Sequence, residues 1–229
     1  MVVACGVVGA RLLWLSSRTR RSPELLLGAA FVLLGGIGYP LAIVARGGPG
    51  GAPSPNLLML ALAVQDLACL CIYANTWQTF HPDRRWLGGV CAVLAVAFTA
   101  SVVAKLGTPD PDGGPWYYLG FGLRAGAFAW AAWESQRYSG LLARRLRLGL
   151  ADPIVADRFR LWTLSTLGIL LGFGIFLVGR LTTENVGAAP WVLVATSAVS
   201  LMSATGMWLA FVPPAAYLRW VEARADAVS

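Results

Sequence analysis

Residues 56–80 read NLLMLALAVQDLACLCIYANTWQTF, a run whose single charged side chain is Asp66. A helix of this length is about 37 Å long at 1.5 Å per residue, enough to cross the roughly 30 Å hydrocarbon layer of a bilayer. Working outward, comparable apolar runs lie on both sides, and the spans are expected at about 1–17, 23–45, 86–106, 116–133, 161–179 and 190–212, in addition to 56–80. The shortest is the first, which carries Arg11. The expected fold class is an all-α polytopic membrane protein, a seven-transmembrane-helix bundle, forming one membrane-embedded unit over residues 1–229 with a tail at 213–229.

Composition agrees with this reading. Of 229 residues, 57% are hydrophobic and 13% charged, where a soluble domain carries about 25% charged residues. The spans leave too few residues for a second folded domain. The net charge of +7 comes from 18 bases, of which only Lys105 is not arginine. Thirteen of them follow the first, third, fifth and seventh spans, which places the N-terminus outside and the C-terminus inside by the positive-inside rule. The alternation also argues against a nucleic-acid face. The expected location is the plasma membrane, of the bacterial inner-membrane type.

Charges forced into the bilayer carry most of the functional information, because each costs roughly 2.5–3.5 kcal/mol at a helix centre. Asp66 lies ten residues past Asn56, and Arg124 lies eight residues into the fifth span. Both are therefore about 12–15 Å from the same side of the membrane and can meet. Such a pair either locks two helices together or binds a ligand or ion. Gln65, Tyr73, Asn75 and Trp77 make the same helix polar, and Tyr117 shares a helical stripe with Gly120, Arg124 and Ala127. The candidate ligand or ion site is therefore Asp66, Arg124, Gln65, Tyr73, Asn75, Trp77 and Tyr117.

Other features concern packing and the cytoplasmic face. Gly168 with Gly172, and Ser200 with Ala204, have the four-residue spacing that lets helices approach closely. Pro40 should kink the second span and Pro213-Pro214 should end the seventh. The segment from Glu134 to Arg160 should extend the fifth helix and turn at Asp152-Pro153, its Arg137, Arg144, Arg145 and Arg147 offering a partner-binding surface. Residues 215–225 alternate apolar and basic side chains, as a helix lying on the membrane surface does. Asp110-Pro111-Asp112-Gly113-Gly114 reads as a turn.

Catalytic groupings are missing. The sole histidine, His81, falls in a turn, which excludes polyhistidine metal sites and bis-histidine haem. Cys5, Cys69, Cys71 and Cys91 lie in apolar runs without a Cys-x-x-Cys and read as small buried hydrophobes. No Gly-x-Ser-x-Gly or phosphate-binding loop occurs. No enzyme activity, cofactor, metal or nucleic-acid partner is expected. Leu62-Ala63-Val64-Gln65-Asp66-Leu67, Asp83-Arg84-Arg85 and Pro214-Ala215-Ala216-Tyr217 each resemble a motif of rhodopsin-like receptors. The first two share one helix where the family has them on two, so no family is recognised. The last span has no lysine for a retinal Schiff base.

The expected function is a receptor-like sensor that binds a small ligand within the bundle and signals through its basic cytoplasmic face, to a protein partner or as a homo-oligomer. The alternatives are an ion or small-solute transporter or channel using Asp66, and a noncatalytic subunit of a membrane complex.

Overall fold

The computed structural model describes residues 2–47, 52–106, 114–183 and 189–226. Among these the chain is helical apart from short connections, with no strand. The helices are α1 (Val2–Thr19), α2 (Ser22–Phe31), α3 (Tyr39–Ala45), α4 (Pro55–Phe80), α5 (Trp86–Lys105), α6 (Gly114–Arg147), α7 (Pro153–Thr182), α8 (Pro190–Phe211) and α9 (Ala215–Asp226). A π-helical segment, Val32–Gly38, joins α2 to α3 without a break. Of the turn expected at 110–114, residues 110–113 lie outside the described residues and Gly114, with φ +75°, opens α6.

Helix starts follow local chemistry. The Ser54 hydroxyl accepts from the Leu57 N–H at 3.4 Å ahead of Pro55. The Asp152 carboxylate accepts from the Ile154 N–H at 2.8 Å ahead of Pro153. Each pairs a capping side chain with a proline in the first turn, where no N–H is required of it. Pro40 acts further upstream than its own turn. It has no N–H for the Gly36 carbonyl and its ring crowds that group, and the backbone just before it widens to π geometry. Pro213-Pro214 separates α8 from α9.

Among the described residues, five stretches are long and apolar enough to cross a membrane: Ser22–Ala45, Pro55–Phe80, Trp86–Lys105, Pro153–Thr182 and Pro190–Phe211. Their outward faces are apolar, with Val93, Val96, Leu171, Val194 and Leu201 all exposed. An apolar surface of this extent suits hydrocarbon and not water. The molecule is an all-helical membrane protein. The other two expected spans are not among the five. α1 is short and exposes Arg11. The apolar half of α6 is diluted by Trp116, Tyr117, Tyr118, four glycines and Arg124. α6 also runs on to Arg147, and α7 begins at Pro153 rather than near 161. Most of the connection expected between them is therefore helix.

The chain divides into two compact units, Met1–Ala127 and Phe128–Ser229. In the first, α1 packs on α2 where Gly9 and Gly28 let the backbones meet, a Cβ on either lying 3.1 Å from the other's carbonyl oxygen. The π segment receives Cys5 of α1 against Gly35, and Gln65 of α4 against Gly38. In the second, α7 packs along α8. Ser203 of α8 seats on Gly168, and Ser165 of α7 seats on Gly206. Gly172, expected at a close helix approach, faces open space, and in this seam Ser203 rather than Ser200 seats on a glycine. The three-residue steps 165–168 and 203–206 run in opposite directions across the seam, so each small hydroxyl fills the gap left by a glycine.

Candidate functional site

The site is built inside the first unit, where α4, α5 and the first turns of α6 come together. Arg124 Nε donates to Asp66 Oδ1 at 2.7 Å. Both residues are buried, 5% and 3% exposed. The contact uses half of each group: Asp66 Oδ2 and Arg124 Nη2 have no hydrogen-bond partner. A guanidinium and a carboxylate held side by side normally close a two-bond fork.

α5 contributes two residues that the sequence reading omitted. Phe98, Ser101 and Lys105 form its buried stripe at three- and four-residue steps. Lys105, at the end of the helix, is 2% exposed. It lies within electrostatic range of the Asp66 carboxylate. Gly120 of α6 locates the cluster: a Cβ built there would stand 2.9 Å from Ser101 Oγ, 3.3 Å from Arg124 Nη2 and 3.4 Å from Lys105 Nζ. Three donors thus converge on one glycine. The signal available in the sequence was the lone lysine four residues after a serine in an otherwise apolar helix.

The remaining expected residues divide. Tyr73 belongs to the same α4–α6 seam, its hydroxyl donating to the Leu123 carbonyl at 2.9 Å and resting on Gly126. Tyr117 is buried one turn before Gly120, its ring against Tyr118 and Phe121. Gln65 turns elsewhere, its amide donating to the Gly38 carbonyl in the π segment at 3.2 Å. Trp77 Nε1 donates to the Arg84 carbonyl at 3.0 Å and so ties the end of α4 to the following turn. Asn75 is buried, accepts from the Thr79 hydroxyl at 3.5 Å and leaves its Nδ2 without a partner.

In the second unit, Arg137, Arg144, Arg145 and Arg147 are exposed, and Arg137 lies 3.6 Å from Glu134. Leu141, Leu148 and Leu150 are exposed among them. α9 docks through Tyr217, whose hydroxyl donates to Asp157 Oδ2 at 2.5 Å. Partial burial and then the Asp157 carboxylate push the Tyr217 phenol up to about 12. Thr196 and Thr205 of α8 spend their hydroxyls on carbonyls of their own helix. No cluster of three or more His, Cys, Asp or Glu able to hold a metal ion occurs among the described residues. No family model matches the chain, and no curated protein or solved structure matches it either.

Proposed function

We propose that this protein is a receptor-like membrane sensor with seven spans, α1 and α6 completing the set. Its N-terminus is outside and its basic face lies in the cytoplasm of a cell bounded by a plasma membrane of the bacterial type. A small polar ligand binds beside Asp66 and Arg124. The observation that carries this reading is the half-made pair: in a low-dielectric interior, unsatisfied hydrogen-bonding atoms on two ionised groups are costly unless something completes them. α6 links the site to the output, because the helix that carries Arg124 continues without interruption to Arg144, Arg145 and Arg147. Those arginines offer an acidic protein partner a cluster of exposed charge.

The test is hydrogen exchange on the reconstituted protein across a library of small polar compounds. A ligand should change protection both near Arg124 and over residues 137–147, and Asp66→Asn should abolish the change. A compound that binds without altering the basic end would remove the signalling part of the proposal. The unpartnered Asp66 Oδ2 favours one second reading, a transporter or channel in which this carboxylate handles the ion. Proton or monovalent-ion flux through proteoliposomes, lost in a folded Asp66→Asn variant, would select it.

A further inference from the structure

We infer that the outward face of α1 binds an anionic phospholipid, the headgroup phosphate held between Arg11 and Arg18 and an acyl chain lying along Val7 and Val3. Val3, Val7, Arg11, Trp14 and Arg18 follow one another at steps of four, four, three and four residues, which puts them on one face of the helix. All five are exposed, Val3 at 77%, Val7 at 40% and Trp14 at 56%. The opposite face buries Val8, Gly9, Leu12 and Ser16 and packs on α2, which belongs to the apolar stretch Ser22–Ala45. The exposed face therefore looks onto lipid. It is a surface and not a cavity, as suits a ligand drawn from the bilayer, and from Val3 to Arg11 it runs about 12 Å at 1.5 Å per residue.

The other end of the stripe suits a phosphate. The Arg18 guanidinium lies 4.0 Å from the centre of the Trp14 ring, so it folds back one turn toward Arg11 instead of reaching away into water. A cation stacked on an exposed indole is at home where hydrocarbon meets headgroups. Arg20 and Arg21, both exposed, follow in the turn before α2. Glu24 is the one acid among the first 65 residues, and its carboxylate accepts from the Thr19 hydroxyl. Arg11, Arg18, Arg20 and Arg21 thus stand against a single carboxylate that is already engaged. That imbalance selects a lipid of net negative charge, because phosphatidylglycerol brings an uncompensated phosphate and phosphatidylcholine brings its own ammonium. It also opposes a second copy of this chain, which would set arginine against arginine.

The experiment is native mass spectrometry of the full chain released from neutral detergent, with phosphatidylglycerol or phosphatidylcholine of identical chains added to the micelles. Phosphatidylglycerol should bind saturably and about tenfold or more tighter than phosphatidylcholine. The variant Arg11→Gln with Arg18→Gln should lose about tenfold or more of that affinity, as the contribution of two arginines at a lipid surface predicts. Arg18→Gln alone, which alters one exposed side chain, should lose about fivefold and carries the comparison if the double variant does not fold. Arg158→Gln with Arg160→Gln removes the same charge from exposed arginines of the second unit and should leave the affinity unchanged. Inorganic phosphate should not displace the lipid, because contact along Val3 and Val7 is part of the binding.

Equal binding of the two lipids by wild type overturns the inference, and so does an equal loss in the two double variants, since overall charge would then explain the binding. Displacement by millimolar inorganic phosphate would assign the arginines to a soluble anion and overturn the lipid. A dimer that excludes phosphatidylglycerol and separates in the Arg11→Gln with Arg18→Gln variant would put a second copy on the stripe, with the same consequence.

Discussion

Asp66 and Arg124 share one hydrogen bond where a carboxylate and a guanidinium can share two. Nε meets Oδ1 at 2.7 Å, and the outer atoms, Nη2 and Oδ2, have no hydrogen-bond partner. The relationship couples the stability of the first unit to its proposed chemistry, because the residues that join α4 to α6 are the ones left with bonding capacity.

Removing one partner should be far worse than removing both. Arg124→Ala leaves a buried carboxylate facing less positive charge, a class of change that costs about 3–5 kcal/mol. The double variant Asp66→Leu with Arg124→Met leaves no orphaned charge at this pair and should recover most of that loss. Unfolding of the three proteins in mixed micelles checks the order, and a double variant as unstable as Arg124→Ala would contradict it.

Glycines two residues apart on α6 should respond in opposite directions. A Cβ at Gly122 meets nothing within 4 Å, whereas one at Gly120 crowds Ser101, Arg124 and Lys105. Gly122→Ala should therefore be neutral or stabilise by up to about 1 kcal/mol through reduced backbone entropy. Gly120→Ala should destabilise. Thermal melts of the two variants beside wild type decide the point.

The α7–α8 seam depends on size and not on hydrogen bonds. Ser165 Oγ and Ser203 Oγ have no hydrogen-bond partner, yet each occupies the gap over a glycine. Ser203→Ala should shift stability by no more than about 0.5 kcal/mol, while Gly168→Val should cost about 1–3 kcal/mol by forcing the helices apart. Gly172→Ala, whose Cβ would meet nothing within 4 Å, is the matched control.

Docking of α9 should be lost at strongly alkaline pH. The Tyr217 phenol is raised from its ordinary value near 10 to about 12. The folded state therefore holds this proton where the undocked tail releases it. The stabilisation is complete below about pH 10 and disappears as pH rises through about 12. Tyr217→Phe should remove this pH dependence and, at neutral pH, speed tryptic cleavage at the exposed Arg219 and Arg224. Equal cleavage rates in the two proteins would show that the Asp157 bond does not hold the helix down.

Much of this was readable along the chain. Residues 56–80 announce a membrane helix by length and apolarity, and Asp66 stands out because a carboxylate there needs a reason. That it could meet Arg124 followed from depth, since rise per residue converts sequence position into distance along a helix, and the fold supplied the contact itself. Pro213 and the Asp152-Pro153 cap act through backbone geometry that is local by nature, so their effects could be placed from sequence. Tertiary structure decided which side chains join that pair. Lys105 sits at a helix end, where nothing in its position marks it as buried, and only the packing of α5 on α6 turns it and Ser101 inward toward Gly120. Gln65 and Trp77, on the same polar helix as Asp66, were drawn away by carbonyls at Gly38 and Arg84. Helical periodicity tells which residues share a face but not which neighbour that face meets, because close approach between helices depends on glycines and small side chains whose partners lie far away in sequence.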